Sequence, residues 1–230
     1  MTHHRGFSHS LFVQALVTPV FVLLLSNLPF GRSASWARWS VAVYFSFATH
    51  SLADFFTVYG TQIFWPLTNH PFAHSILFIV DPIYTIPLLV AVISALLMRD
   101  RSRAVKINAG MLGLSTLYLV WSTGAKSVID NRVQNALASN GISAEVYDST
   151  PAPLNTLLWR GVAVDDDAYF EIWASIFDDV DQIQIQGFPR NVELISAIVD
   201  HPKIERLRWF TKGQYKVWQS DDPVSYTHLT

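Results

Sequence analysis

His4, His9, His50 and Asp54 are the residues whose types and spacing best suit coordination of a metal ion. His50 and Asp54 are four apart, so on a helix they share one face with Cβ atoms about 5–6 Å apart. That separation suits two ligands on one metal, or a pair of metals sharing a site. His4 and His9 are five apart and would diverge by about 140° on a continuous helix. They converge only if Gly6 breaks the chain and Ser8 or Ser10 caps the next helix. The chain has no cysteine, which excludes a disulfide framework, a thiolate zinc finger, an iron–sulfur cluster and a Cys nucleophile. Any metal must then be held by imidazoles and carboxylates, a donor set that favours a divalent ion and zinc first among them. Such an ion activates a bound water and polarises a scissile group, which is hydrolytic chemistry.

Other side chains have a place near such a centre. Arg5 offers a bidentate fork for a phosphate or a carboxylate. Asp81 offers a further carboxylate, but an Asp directly before Pro82 also reads as a helix N-cap with Pro at the first helical position. His70 and His74 are four apart as well, yet they flank Pro71 and read as loop lining. His3 reads as the solvated neighbour of His4. The acids Asp178, Asp179 and Asp181 lack the Gly and the distal Glu of a calcium loop, so they read as a solvated turn. Gly6-Phe7-Ser8-His9-Ser10 is not a nucleophile elbow, which weighs against a serine hydrolase.

The elements that must position these residues are set by an unusual composition. Half of the 230 residues are hydrophobic and only 15% are charged, and the charges are unevenly placed. Residues 1–126 carry eight Lys or Arg against three acids, a net +5; residues 127–230 carry eight against fifteen, a net −7. This pattern excludes disorder, collagen-like structure and a basic nucleic-acid binder. Leu11–Gly31 is free of charge and long enough to cross a hydrocarbon core of about 30 Å as a helix. Further spans are expected at about Ser40–Thr57, from Ser75 or Asp81 to Met98, and at Ile107–Ala125, four in all. The loop with Arg32 and Arg38 and the Arg99–Lys106 loop are basic, whereas the 58–75 loop has no Lys or Arg. The positive-inside rule puts the basic loops in the cytoplasm. The N-terminus, the 58–75 loop and everything after the fourth span then lie outside.

From Lys126 the pattern changes. Ser127–Asn140 has apolar residues at Ile129, Val133 and Leu137, a helical spacing, with Gly141 as its stop. Leu157–Val164 and Ala168–Phe177 read as two strands joined by Asp165-Asp166-Asp167. Asn191–Val199 reads as a short helix, and Ile204–Phe210 with Gln214–Gln219 as a second hairpin around Lys212-Gly213. The expected organisation is a helical membrane domain over 1–126 and a soluble α+β domain over 127–222. Residues 223–230 read as a non-native tail outside the fold.

The segments HRGFSHS, HSLADFFTVYGTQIFWPL and DPIYT resemble the bacterial inner-membrane family of LexA-regulated, YdjM-like metal-dependent hydrolases. PAPLNTLLWRGVAV and RLRWF look like the extra domain of its longer members. The resemblance covers nearly the whole chain up to about Asp222. It implies an all-helical core distantly similar to zinc-dependent phospholipase C and P1 nuclease. It also implies His4, His9, His50 and Asp54 as metal ligands, with Asp81 as a further candidate. Family members usually begin with another helix and a Leu-Pro-Asp-Leu-Asp-like segment ahead of the His-Arg motif. Here the motif starts at the fourth residue, so the expectation is an N-terminally truncated chain with an incomplete ligand set.

Two functions are expected from these features. The first is a multi-pass membrane hydrolase that uses a divalent metal, with a lipid or phosphoester substrate reaching it at the interface and Arg5 and Asp81 in catalytic roles. Its partner is the bilayer rather than nucleic acid. The second is a non-catalytic membrane sensor or scaffold whose His/Asp cluster is structural and whose acidic C-terminal domain binds a partner.

Overall fold

The computed structural model describes residues 5–29, 31, 34–144, 146–194, 201–211, 214–218 and 225–228. These divide into two compact units, residues 1–75 and 76–230.

In the first unit a 3-10 turn at Phe7–His9 leads into helix α1, Leu11–Ser26, which packs on α2, Trp36–Phe55. Ser10 is extended and its hydroxyl accepts from the amides of Phe12 and Val13, so the cap expected at Ser8 or Ser10 is Ser10. The charge-free stretch runs to Gly31, but the helix ends at Ser26. Pro29 explains the stop, because a proline disfavours helical geometry at the residue before it and supplies no amide. After α2 the chain turns at Gly60, whose φ of +78° favours glycine. A Cβ there would meet Pro71 at 2.9 Å. The loop closes through a two-residue bridge between Thr61 and Phe72.

In the second unit α3, Pro82–Leu97, forms a hairpin with α4, Arg101–Ser139. Asp81 caps α3 with Pro82 at its first turn, as the Asp-Pro pair predicts. The helix expected at Ser127–Asn140 is not a separate element: α4 runs unbroken through Lys126. The change at Lys126 is a change of surroundings, not of secondary structure. Gly141, at φ +70°, ends the helix. Beyond it β1 (Val146–Pro151), β2 (Leu158–Val164), β3 (Ala168–Ser175) and β4 (Gln184–Pro189) form an antiparallel meander in that order. Trp159 pairs with Ala174 and Ala163 with Phe170 across β2 and β3. On the face they share, Trp159, Ala163, Ile172 and Ala174 pack with Ile129, Val133, Ala136 and Leu137 of α4.

The expected strand over Ile204–Phe210 is instead helix α5, Pro202–Thr211. Ile204, Leu207 and Thr211 are the less exposed positions, a spacing of three and four that belongs to a helix. Pro202 opens it, where a missing amide costs nothing. The Lys212-Gly213 turn and residues 195–199 of the expected Asn191–Val199 helix lie outside the described residues. Strand β5, Tyr215–Trp218, pairs with β6, Ser225–His228, so part of the segment set aside as a tail carries main-chain pairing.

Helices α1 to α3 and the first half of α4 bury mainly small and polar residues and expose many large apolar ones. In α1 Gln14, Thr18 and Val22 face inward while Leu16 is 77% exposed. In α3 the buried residues are Pro87, Ala91 and Ser94, while Leu96 and Leu97 are exposed. The first half of α4 buries Ala104, Ser115, Tyr118 and Ser122 and exposes Leu112, Leu117 and Val120. Small residues at contacts and apolar residues outward are how helices pack when the solvent is lipid. Among the described residues α4 is the one helix long and apolar enough to cross a membrane; α1 and α3 are apolar but shorter.

Candidate metal centre

The site sits where the start of α1 meets the end of α2. The bend at Gly6 and the 3-10 turn end the chain's approach, and the Ser10 cap fixes the angle at which α1 leaves. The Ser10 hydroxyl also donates to the Trp65 carbonyl, and the Leu11 amide donates to the Ile63 carbonyl at 3.1 Å. The loop after α2 is thereby tied to the first turn of α1. Gln14, buried in an otherwise apolar run, donates to the Ser8 carbonyl at 3.2 Å and to the Ser51 hydroxyl at 2.6 Å. It fixes the two helices at the level of His50.

These ties bring His9, His50 and Asp54 together, with one ligand atom from each within 4.8 Å of the others. His9 Nε2 lies 3.3 Å from Asp54 Oδ2, and His50 Nε2 lies 4.0 Å from the same oxygen. The imidazole rings are 5.4 Å apart. Ser8 Oγ is 3.1 Å from His9 Nδ1, on the ring edge away from Asp54. The His50 side chain is 66% exposed whereas those of His9 and Asp54 are mostly buried, so the cluster opens to its surroundings on the His50 side.

The other oxygen of Asp54 is held. Arg5 Nη2 lies 3.1 Å from Oδ1, and Nη1 donates to the Thr57 hydroxyl at 2.7 Å. The guanidinium also lies over the Tyr59 ring at 5.4 Å. The sequence offers Arg5 as a fork for a phosphate or a carboxylate; in the structure its terminal nitrogens contact the Asp54 carboxylate and the Thr57 hydroxyl at the end of α2. Thr57, Gln14 and Ser51 were not legible as site residues. The one signal is Gln14 itself, a polar side chain inside a charge-free run, which at membrane depth is costly without a partner.

The remaining candidates have other partners. Asp81, 2% exposed, lies in the second unit. Its Oδ1 accepts from the amides of Ile83 and Tyr84 and its Oδ2 accepts from the Tyr118 hydroxyl at 2.7 Å. His70 packs edge-on to Phe72 and His74 stacks on Phe55, which makes both loop lining. Asp178 accepts from the Ser175 amide and Asp179 forms a capping box with Gln182, so these acids build a turn. His4 and His3 lie outside the described residues.

The histidine motif, its helical partner and the loop after it form one region, and a single family model spans it. The model of the YdjM inner membrane protein family matches residues 1–128. The chain belongs to that family. The match takes in His9, His50, Asp54 and Arg5, and it ends inside α4 just before Ile129. The β-sheet, α5 and the β5–β6 pair lie beyond the matched residues. No curated protein and no solved structure matches the chain. Family membership places the protein in an inner membrane, and the outward apolar faces of its helices agree.

Proposed function

We propose that this chain is a multi-pass inner-membrane hydrolase that uses a zinc ion held by His9, His50 and Asp54, with His4 as a fourth ligand. The observation that carries this reading is the convergence of three ligand atoms within 4.8 Å. Tetrahedral zinc with bonds near 2.1 Å needs donors separated by about 3.4 Å. The 3.3 Å and 4.0 Å separations at Asp54 Oδ2 come close to that with small side-chain adjustments. When bound, the ion would lower the pKa of a coordinated water and polarise a phosphoester.

The chain's own residues do the rest. Arg5 holds Asp54 by one oxygen and leaves the other facing the imidazoles. Ser8 steadies the His9 ring from its far edge. The exposed side of His50 is the route for substrate, a lipid or other phosphoester at the interface. Four membrane spans along α1 to α4, with the basic loops cytoplasmic and the C-terminal domain periplasmic, accompany this reading. The inverted faces of the helices support the spans.

A second reading has one observation in its favour. Arg5 and Asp54 already neutralise each other, and both histidines lie within 4.0 Å of the same carboxylate, as in a structural cluster of a scaffold protein. Elemental analysis of detergent-purified protein separates the two. About one zinc per chain, removed by His50→Ala or Asp54→Ala without loss of membrane insertion, supports the enzyme. No metal after zinc loading supports the scaffold. Release of nitrophenol from a nitrophenyl phosphodiester, dependent on His50, would then establish catalysis. A reporter fused after Asp222 that is active only in the cytoplasm would overturn the orientation.

A further inference from the structure

The β1–β2 connection, Ala152–Leu157, has no charged residue, and it presents apolar side chains to the outside. Leu154 is 54% exposed, Leu157 44% and Leu158, the first residue of β2, 39%. A soluble domain normally places polar residues at a loop tip of this kind. The loop is not loose. Asn155 Oδ1 accepts from the amides of both Leu157 and Leu158 at 2.9 Å, and the Ala152 amide donates to the Leu158 carbonyl at 2.8 Å. Leu154 is held at φ +67°. The leucines are thus fixed outward by the loop's own polar groups.

The loop's position gives that apolar tip an occupant. Thr156, 2% exposed, lies between Leu154 and Leu157, and its hydroxyl accepts from Trp121 Nε1 at 3.2 Å. The same hydroxyl lies 3.2 Å from the Tyr118 hydroxyl, which donates to Asp81 at the start of α3. The loop is therefore fastened to the end of the α3–α4 hairpin. On α4 the residues one and two turns below Trp121 are exposed and apolar: Leu117 is 65% exposed and Leu114 49%. Trp121 is itself 49% exposed, and Trp and Tyr gather where hydrocarbon meets headgroups. The leucine tip thus continues the apolar surface of the hairpin past its aromatic end.

We propose that this loop is a membrane-seating element: Leu154, Leu157 and Leu158 enter the lipid interface of the bilayer and hold the β-sheet domain against it. The inference rests on the hairpin being membrane-embedded, and it concerns a segment outside the family match. Exposed apolar side chains mark protein or membrane contacts, and continuity with the hairpin's apolar face beside an interfacial Trp favours the lipid surface.

The absence of cysteine makes the test direct. Single Leu154→Cys and Leu157→Cys variants of the full chain are labelled with an environment-sensitive dye and placed in phosphatidylethanolamine–phosphatidylglycerol vesicles. Two controls accompany them. Leu89→Cys reports on exposed α3, and Asp166→Cys on the turn at the far end of β2, about 20 Å along the strand from Leu158. The expected result is blue-shifted emission at 154 and 157, several-fold stronger quenching by spin-labelled lipid than at 166, and protection from aqueous iodide. If 154 and 157 quench with iodide as 166 does, the proposal is overturned. Labels shielded from iodide and lipid alike would mean a protein contact, which overturns it too. Lipid quenching at 89 but not at 154 or 157 refutes the seating alone, whereas no quenching at 89 refutes the membrane reading beneath it.

Discussion

Replacing Asp54 by Asn keeps the side-chain shape and removes its charge, and two separable losses should result. The first is metal. A neutral amide oxygen is a poor zinc ligand, and Asp54 Oδ2 is the atom nearest both imidazoles, so zinc retention should vanish. The second is stability. Arg5 would lose its acid at 3.1 Å while its guanidinium stays 16% exposed. A hydrogen bond to a charged group contributes about 1.5–3 kcal/mol, and this partly exposed site argues for the lower half of that range. Arg5→Met isolates this second loss. It should destabilise the fold by about 2 kcal/mol. It should keep stoichiometric zinc, because losing the clamp weakens binding while losing a neighbouring cation strengthens it. In the double variant the losses should sum to less than the single effects, since each single change already breaks the pair. The assay is thermal denaturation in detergent, with and without a chelator, beside zinc content by elemental analysis. Free zinc at about 100 times its dissociation constant would stabilise the wild type by about 2.7 kcal/mol, and chelation should remove that increment from the wild type and not from Asp54→Asn. Stoichiometric zinc in Asp54→Asn would refute the ligand assignment.

The geometry sets three further outcomes. Zinc occupancy should fall on acidification, because an imidazole must be unprotonated to bind, and His50→Ala should lose zinc at every pH whereas Asp81→Asn should keep it; equal loss in both would place Asp81 in the centre. Trp159→Ala empties the middle of the sheet–helix core and should cost about 3–5 kcal/mol by thermal unfolding, with zinc content unchanged. Burial first, and the charge of Asp130 second, hold the Tyr147 phenol well above its ordinary value of 10.0. The folded state therefore keeps that proton when the unfolded chain releases it, so the contribution is complete below pH 10.0 and is lost as the pH rises beyond it. Stability should fall less steeply in alkali in Tyr147→Phe than in the wild type.

Part of the site was legible because its signals are local. The four-residue step from His50 to Asp54 needs only a helix, and the Ser10 and Asp81 caps are read from the residues beside them. The pairing of Arg5 with Asp54 and Thr57 was not legible, because these partners are 49 and 52 residues away. The strands β2 and β3 and the apolar row Ile129, Val133 and Leu137 carry clear periods. By contrast β1 and β4 alternate weakly and carry no such signal. In α5 the run Leu207-Arg208-Trp209-Phe210 looks like a strand unless Pro202 and the spacing of Ile204 to Leu207 and Thr211 are weighed first. The unbroken course of α4 was hidden because hydropathy reports the medium around a helix, not the helix.

That helix imposes a phase condition. One face of α4 meets α3 through Ser115 and Tyr118, and the continuation of the same rod must meet the sheet through Ile129 and Val133. Each residue turns the rod by about 100° and advances it by about 1.5 Å. A single residue inserted between Ser122 and Lys126 would therefore aim the sheet-binding stripe about a quarter-turn away from β2 and β3. Seven inserted residues would nearly restore the angle but lift the sheet by about 10.5 Å, out of reach of the Trp121–Thr156 hydrogen bond. Angle and height are satisfied together at one spacing. The segment from Ser122 to Lys126 thus works as a gauge block, setting by its length alone where the sheet stands above the hairpin.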